Sequence, residues 1–384
     1  MLSLLGNEWD FYNPTNIIFG PGSFDRLTEF VQYKRVILVT SKTFRSNGLV
    51  DKVEKIFEER LVYVLDDVIT NPDLQLLDKQ LQLIRSKKAD LIISLGGGSC
   101  IDTAKALAFM LSSPNEYSLN LYLADQSLHL SNKALPIIAI PTTSGAGSEV
   151  TPFATVWDFS GCKKHSIYSK DIYPNTAILD PELTYSLPKD ITISSGLDVV
   201  SHGLESVWNK NANPITLALA SKSLSMSLPS IRKLKQSLSN HEARAEMMQA
   251  SLLAGLAISR TRTALAHSIS YPLTTDFALP HGIASSFTLS SVLRFNLTVD
   301  DGRLESLAKH LGYKTPHDMA NDIDLLMSEL SVNDVFFRYV PNLKSVTNLV
   351  HRMYDPARAD NNMRKASLED LYSIVDISLN RIYR

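Results

Sequence analysis

The stretch Asp90-Leu91-Ile92-Ile93-Ser94-Leu95 passes without a break into Gly96-Gly97-Gly98-Ser99 and then into a helix-compatible run from Ile101 to Leu111. A strand that ends on three glycines and opens a helix leaves few options for the chain around it. The glycines permit positive φ and close backbone approach. The helix directs its free N–H groups and the positive end of its dipole at whatever occupies the turn. A pyrophosphate suits that place; a tight turn with no ligand is the other reading. A second polar, glycine-bearing turn, Pro141 to Glu149, follows the next apolar run and offers hydroxyls and N–H groups. Two such loops at successive strand ends favour a ligand more than either does alone.

The surrounding pattern extends this unit. Arg35–Thr40, Leu61–Leu65 and Leu135–Ile140 read as further strands, alternating with amphipathic helices over Val50–Glu59 and Asp73–Lys87. Thr43–Leu49 shows no period and reads as a loop. Strand–helix alternation predicts a Rossmann-like α/β domain, a parallel sheet covered on both faces. Ala154–Asp158 and Lys164–Tyr168, joined across Ser160-Gly161, read as an added hairpin. Beyond Asp180-Pro181 the strands stop, and helical patterns such as Ile215–Leu228, Glu242–Ile258, Ile283–Leu293 and Leu368–Arg381 take over. The expected organisation is an α/β domain over residues 1–187 and an all-helical domain over 188–384, with a site in the cleft between them.

Composition removes several classes. A net charge of −2 over 384 residues gives no basic footprint for nucleic acid. Cys100 and Cys162 are the only cysteines, so no disulfide framework is implied and a reducing, cytoplasmic setting fits. Met1 to Asn7 is apolar but too short for a signal peptide. No run reaches the ~18 apolar residues of a membrane span.

Within the helical half, Asp198 and His202 lie four apart in an apolar helical run, so one helix face carries both. His267 lies in a second such run, and His281 follows Pro280 at a turn into a third. One carboxylate and three imidazoles suit a divalent first-row metal. Taken singly, each histidine also reads as a satisfied core residue.

Together these features resemble the iron-dependent alcohol dehydrogenase family. The resemblance runs from Phe19-Gly20-Pro21-Gly22 through Asn71-Pro72, the loop Gly96 to Lys105, Pro141 to Glu149 and the Asp-x3-His … His-x13-His spacing. It implies a dehydroquinate synthase-like architecture, with Asp198, His202, His267 and His281 as ligands of Fe2+ or, given the same donors, Zn2+ or another divalent metal. It implies NAD(P)H bound by Gly97, Gly98 and Ser99 at the pyrophosphate and by Asn71, Asp102, Thr142, Thr143 and Lys164. Ser41 stands where NAD-preferring members often carry Asp, and with Lys42 beside it would tolerate a 2′-phosphate; an ordinary loop serine is the alternative. The implied chemistry is aldehyde reduction, or its reverse, in a homodimer or larger homo-oligomer.

Two departures from the family pattern bear on the reaction. Many members have a second histidine four residues after the third ligand; here it is Tyr271, a candidate for proton transfer. Arg260 and Arg262 stand where many relatives carry small or uncharged residues. On a continuous helix Arg260, seven residues before His267, shares its face and suits an oxyanion; pairing with surface carboxylates is the alternative. The segment from Arg260 to Thr288 resembles the branch that reduces phosphonoacetaldehyde to 2-hydroxyethylphosphonate. A broad primary alcohol dehydrogenase of butanol or lactaldehyde type is the rival expectation, and an inactive nucleotide-binding relative a third. Arg358, Asn361, Asn362 and Arg364 read as a further cleft edge or, more simply, as a solvated cluster.

Overall fold

The structure is a computed structural model that describes residues 8–114, 116–125, 133–161, 163–340 and 342–382. Cys162 and the apolar stretch Met1 to Asn7 lie outside the described residues. Two compact units emerge. One holds residues 13–143 and 147–186; the other holds the chain from 187 onward together with residues 8–12 and 144–146.

The first unit is built on strands β1 (Asn16–Phe19), β2 (Val36–Val39), β3 (Leu61–Leu65), β4 (Leu91–Gly96), β5 (Ile137–Pro141), β6 (Phe153–Asp158), β7 (Lys163–Tyr168) and β8 (Thr176–Leu179). Six of them form a sheet in the order β1-β8-β5-β4-β2-β3, with every pairing parallel. β6 and β7 form the antiparallel hairpin read from the sequence. β1 and β8 were not legible as strands: each opens on a polar side chain, Asn16 or Thr176, and the outer, edge-forming β1 is partly exposed.

Alternation along the strands separates two apolar layers. Ile37, Val39, Ile92 and Ile137 pack with Leu77, Leu81 and Ile84 on one face, whereas Val36, Leu38, Leu91 and Ile93 pack with Leu27, Val53 and Phe57 on the other. Full burial of a residue such as Ile37 or Ile92 contributes about 1.5–3 kcal/mol. The covering helices are α1 (Lys42–Ser46), α2 (Leu49–Phe57), α3 (Leu74–Arg85), α4 (Gly98–Leu111) and α5 (Leu119–Ala124). The five-residue α1 occupies part of the predicted loop; it is too short to show a helical period. Asp73 starts α3 by accepting the Leu76 N–H at 2.9 Å.

Strand order reverses between β2 and β4, because β3 lies outside β2 while β4 and β5 extend the sheet the other way. Ligands of open parallel sheets bind beyond the strand ends at such a switch. Gly96 pairs with Pro141 and Ser94 with Val39, so the loops after β2, β4 and β5 leave the sheet side by side.

The second unit is helical: α6 (Lys189–Val207), α7 (Pro214–Gln236), α8 (His241–Thr261), α9 (Leu265–Phe277), α10 (His281–Ser286) and α11 (Leu289–Asn296), then shorter helices ending in Leu368–Ile382. A reciprocal cap between Asn213 and Thr216 opens α7. No helix among the described residues is long and apolar enough to cross a membrane.

Two expectations are corrected here. The helix predicted over Ile283–Leu293 is two helices, broken at Phe287-Thr288 without a glycine or proline to mark it. Arg260 and His267 do not share a helix: α8 ends at Thr261, Arg262 takes φ 62°, and α9 starts afresh at Leu265.

Candidate functional site

α6 presents Asp198 and His202 one turn apart, α9 presents His267 in its first turn, and α10 begins on His281. Gly282 makes the last placement possible, since a Cβ there would overlap the Ser194 carbonyl oxygen of α6. Three imidazole Nε2 atoms converge on one oxygen, Asp198 Oδ1: His267 at 3.5 Å, His202 at 3.7 Å and His281 at 3.9 Å. One ligand atom from each of Asp198, His267 and His281 lies within 4.8 Å of the other two. The His202 ring stacks 4.9 Å from that of His267. Burial alone would push the Asp198 carboxyl up, but His202, His281 and His267 together hold it far below the usual carboxylate range. Burial pushes His202 down.

Glu205 completes the arrangement. It lies on α6 seven residues after Asp198 and three after His202, and is fully buried. Its Oε2 accepts the Ala264 N–H at 2.8 Å and its Oε1 the His267 N–H at 3.1 Å, so it caps α9, which has no side-chain cap of its own. Oε2 also lies 2.6 Å from His267 Nδ1. Burial would lower the His267 pKa, but Glu205 and Asp198 raise it to about 9. With Nδ1 donating to Glu205, Nε2 faces the cluster, buried and without a hydrogen bond. A buried polar atom in that state calls for a partner, and an imidazole oriented through its second nitrogen is the usual form of a metal-bound histidine. The donor set therefore fits a divalent cation. Glu205 was missed in the sequence, although 198, 202 and 205 follow the spacing of one helix face.

The residues expected to meet a dinucleotide lie in the α/β unit around the switch point. Gly97 is the N-cap of α4, with Gly98 and Ser99 in its first turn. A Cβ on Gly97 would come within 3.0 Å of Thr143 Oγ1. Asn71, with φ 60°, donates its N–H to Ser99 Oγ at 3.1 Å. The Thr142 N–H binds the Gly96 carbonyl at 3.1 Å, while its buried Oγ1 has no hydrogen-bond partner. Ser41 is the N-cap of α1, just past β2. Asp102 accepts from Ser148 Oγ at 2.6 Å and from the Thr155 N–H at 2.9 Å; burial raises its pKa, and Lys105 and Lys164 oppose that. Lys164 on β7 stands 5.2 Å over the Trp157 ring. The fully buried Lys105 binds Ser148 Oγ, Thr151 O, Thr151 Oγ1 and Phe153 O at 2.8–3.1 Å. Burial lowers its pKa to about 8. Burial pushes the Cys100 thiol up to about 12, so it is a packing residue rather than a thiolate. Free N–H groups at a helix start, a glycine floor and an unmatched hydroxyl fit a pyrophosphate-bearing cofactor.

Tyr271 lies on α9 one turn after His267 and is half-buried. Arg260 is committed elsewhere: its guanidinium binds Asp10 Oδ1 at 2.8 Å and the Asp10 carbonyl at 3.0 Å. The segment around Asn361 is largely a staple. Buried Asn362 exchanges hydrogen bonds with Asn296 at 2.7 and 3.2 Å, and Arg364 covers the Phe295 ring at 3.9 Å.

Comparison with known proteins agrees with this geometry. Residues 14–181 match the family described as iron-containing alcohol dehydrogenase, and residues 192–379 match the C-terminal part of the same family. Alcohol dehydrogenase 4 of Schizosaccharomyces pombe is 30% identical over 79% of this chain and 72% of its own. An NADPH-dependent butanol dehydrogenase of Clostridium saccharobutylicum is 29% identical over 84% of this chain and 83% of its own. A crystal structure of sulfoacetaldehyde reductase from Bifidobacterium kashiwanohense, in complex with NAD+, superposes with a TM-score of 0.88 at 31% identity, covering 97% of this chain and 99% of that one. The chain belongs to the iron-containing alcohol dehydrogenase family. It is an oxidoreductase whose cofactors are iron and NAD(P).

Proposed function

We propose that this enzyme reduces phosphonoacetaldehyde to 2-hydroxyethylphosphonate, with Asp198, His202, His267 and His281 holding the iron. The observation that carries the ligand assignment is the convergence of three imidazole nitrogens on one carboxylate oxygen. When bound, the cation supplies Lewis-acid polarisation of a carbonyl and NAD(P)H supplies the hydride. Gly97, Gly98 and Ser99 hold the pyrophosphate through main-chain N–H groups and a hydroxyl. Ser41, Asn71, Asp102, Thr142, Thr143 and Lys164 line the rest of the dinucleotide. Ser41, lacking a negative charge, accepts NADPH as well as NADH. Tyr271 Oη, one helical turn beyond His267, hands the proton to the product oxygen.

The small anionic substrate is supported by the similarity to a reductase of sulfoacetaldehyde, another two-carbon aldehyde with an anionic group. The similarity to a butanol dehydrogenase favours a second reading, a broad primary alcohol dehydrogenase. The working assignment gives residues 1–187 to the nucleotide and 188–384 to the metal, in a cytoplasmic homodimer or larger homo-oligomer. Purified, iron-loaded protein assayed with phosphonoacetaldehyde, lactaldehyde and butyraldehyde, each with NADH and NADPH, decides between the readings. A kcat/KM highest for phosphonoacetaldehyde supports the first; equal or higher values for butyraldehyde support the second.

A further inference from the structure

α10 brings a second side chain to the cluster besides His281. Gly282 lies so close to α6 that a Cβ there would overlap the Ser194 carbonyl oxygen. That approach carries Ser285, one turn further along α10, over Asp198 and Ser201 of α6. Asp198 and Ser201 are three apart and so share one face of their helix. Ser285 and Ser201 are fully buried, and Asp198 is buried with them. A hydroxyl closed off from solvent finds its hydrogen bond inside the protein.

Ser285 Oγ lies 3.3 Å from Asp198 Oδ1, 3.3 Å from Ser201 Oγ and 3.4 Å from the Gly282 carbonyl oxygen. Its single proton serves one of them at a time. Ser201 donates its own proton to the Leu197 carbonyl at 2.9 Å, so between the two hydroxyls Ser285 is the donor. Asp198 alone of the three acceptors is a carboxylate, and a hydrogen bond to an ionised group is roughly twice as strong as one between neutral groups. The proton therefore favours Asp198 Oδ1, the oxygen on which the Nε2 atoms of His202, His267 and His281 converge. A carboxylate oxygen has two lone-pair directions, so Oδ1 can accept from Ser285 and still face the imidazoles. Ser285 stands behind Asp198 as Glu205 stands behind His267.

Resting on the assignment of Asp198 as a metal ligand given above, we propose that Ser285 is a positioning residue, whose hydroxyl holds the Asp198 carboxylate with Oδ1 turned toward the three imidazoles. Partners behind the ligands fix their orientation and so set affinity for the ion. α10 thereby supplies one ligand, His281, and orients another. The strength of the site then depends on how α10 packs against α6 as well as on the four ligands themselves.

The test compares the full-length wild type with Ser285→Ala and Ser201→Ala. Affinity for Fe2+ is read by chelator competition, ligand geometry by the visible absorption bands of the Co2+-loaded protein, and folding by thermal unfolding with and without metal. Ser285→Ala binds Fe2+ about 10- to 100-fold more weakly, the range for losing a group that orients a ligand. Its Co2+ bands shift, and the gain in melting temperature on adding metal shrinks with the lost affinity. Ser201→Ala removes the rival side-chain acceptor and leaves the bond to Asp198, so it keeps the wild-type affinity and bands. A wild type that binds no Fe2+ overturns the ligand assignment and this inference together. A wild type that binds it, with Ser285→Ala equal in affinity and Co2+ bands, overturns the role of Ser285 alone. So does a loss in Ser201→Ala as large as that in Ser285→Ala, since the bond that matters would then be the one between the two serines. Should Ser285→Ala fail to fold, Ser285→Gly, which also lacks the hydroxyl, takes its place with the same outcomes.

Discussion

Where α6 meets α9 and α10, two carboxylates and three imidazoles share a small volume, and all but His281 are buried. At the ends of β4 and β5 the working parts are instead main-chain N–H groups, glycines and a few hydroxyls. The first arrangement depends on charge. Each group there is tolerated in a dry interior because its neighbours compensate it, so removing one leaves the others exposed to the full desolvation cost. The second depends on shape. On the proposed assignment its affinity would come from a helix start and from room for an anion to approach, so adding atoms should harm it more than removing charge does.

Four measurements press on that contrast. Asp198→Ala or His267→Ala should have the largest effect: iron content near zero by elemental analysis, and kcat/KM down by at least ~10³-fold, the loss of several kcal/mol of Lewis-acid stabilisation. Iron retained in either variant would show that the charges are not a ligand set. Glu205→Gln keeps shape but weakens the carboxylate behind His267, and should cut metal affinity roughly 10–100-fold in a chelator competition. An unchanged affinity would reduce Glu205 to a helix cap. Gly97→Ala tests the shape-dependent half. Its Cβ meets Thr143 at 3.0 Å, and the KM for NAD(P)H should rise about tenfold, or about 1.4 kcal/mol, while iron content holds.

The smallest effect concerns Lys105, compared with Lys105→Met across pH. Burial lowers its folded pKa to about 8, below the ~10.4 of an unfolded lysine. Between those values the unfolded chain binds a proton that the folded chain does not, so this group makes stability rise with pH there. The melting temperature of wild type should gain on that of Lys105→Met from pH 8 to 10.5. A flat difference would mean that the four acceptors around the ammonium outweigh its burial.

The sequence revealed most where periodicity and chemistry coincide. Leu91–Gly96 and Ile137–Pro141 are fully buried strands ending in glycine-bearing loops, so pattern and punctuation agreed. Asp198, His202, His267 and His281 stood out because charged or titratable groups interrupt apolar helices. β1 and β8 escaped because each opens on a polar side chain, Asn16 or Thr176, and so carries one apolar residue fewer than the equally short β2. Arg260 was misjudged for a different reason. The break after Thr261 is imposed by asparagines from distant parts of the chain, at positions 209, 211 and 361, and an arginine gives no local sign of a helix end. Glu205 was visible but unremarked, since its partners, Ala264 and His267, are about sixty residues away.

One side chain ties the beginning of α9 to the orientation of an imidazole. Glu205 serves both through the same two oxygens, so its loss disturbs architecture and chemistry at once and its couplings to neighbouring substitutions are far from additive. A variant that dispenses with the cation would therefore need several concerted replacements around Glu205 rather than one.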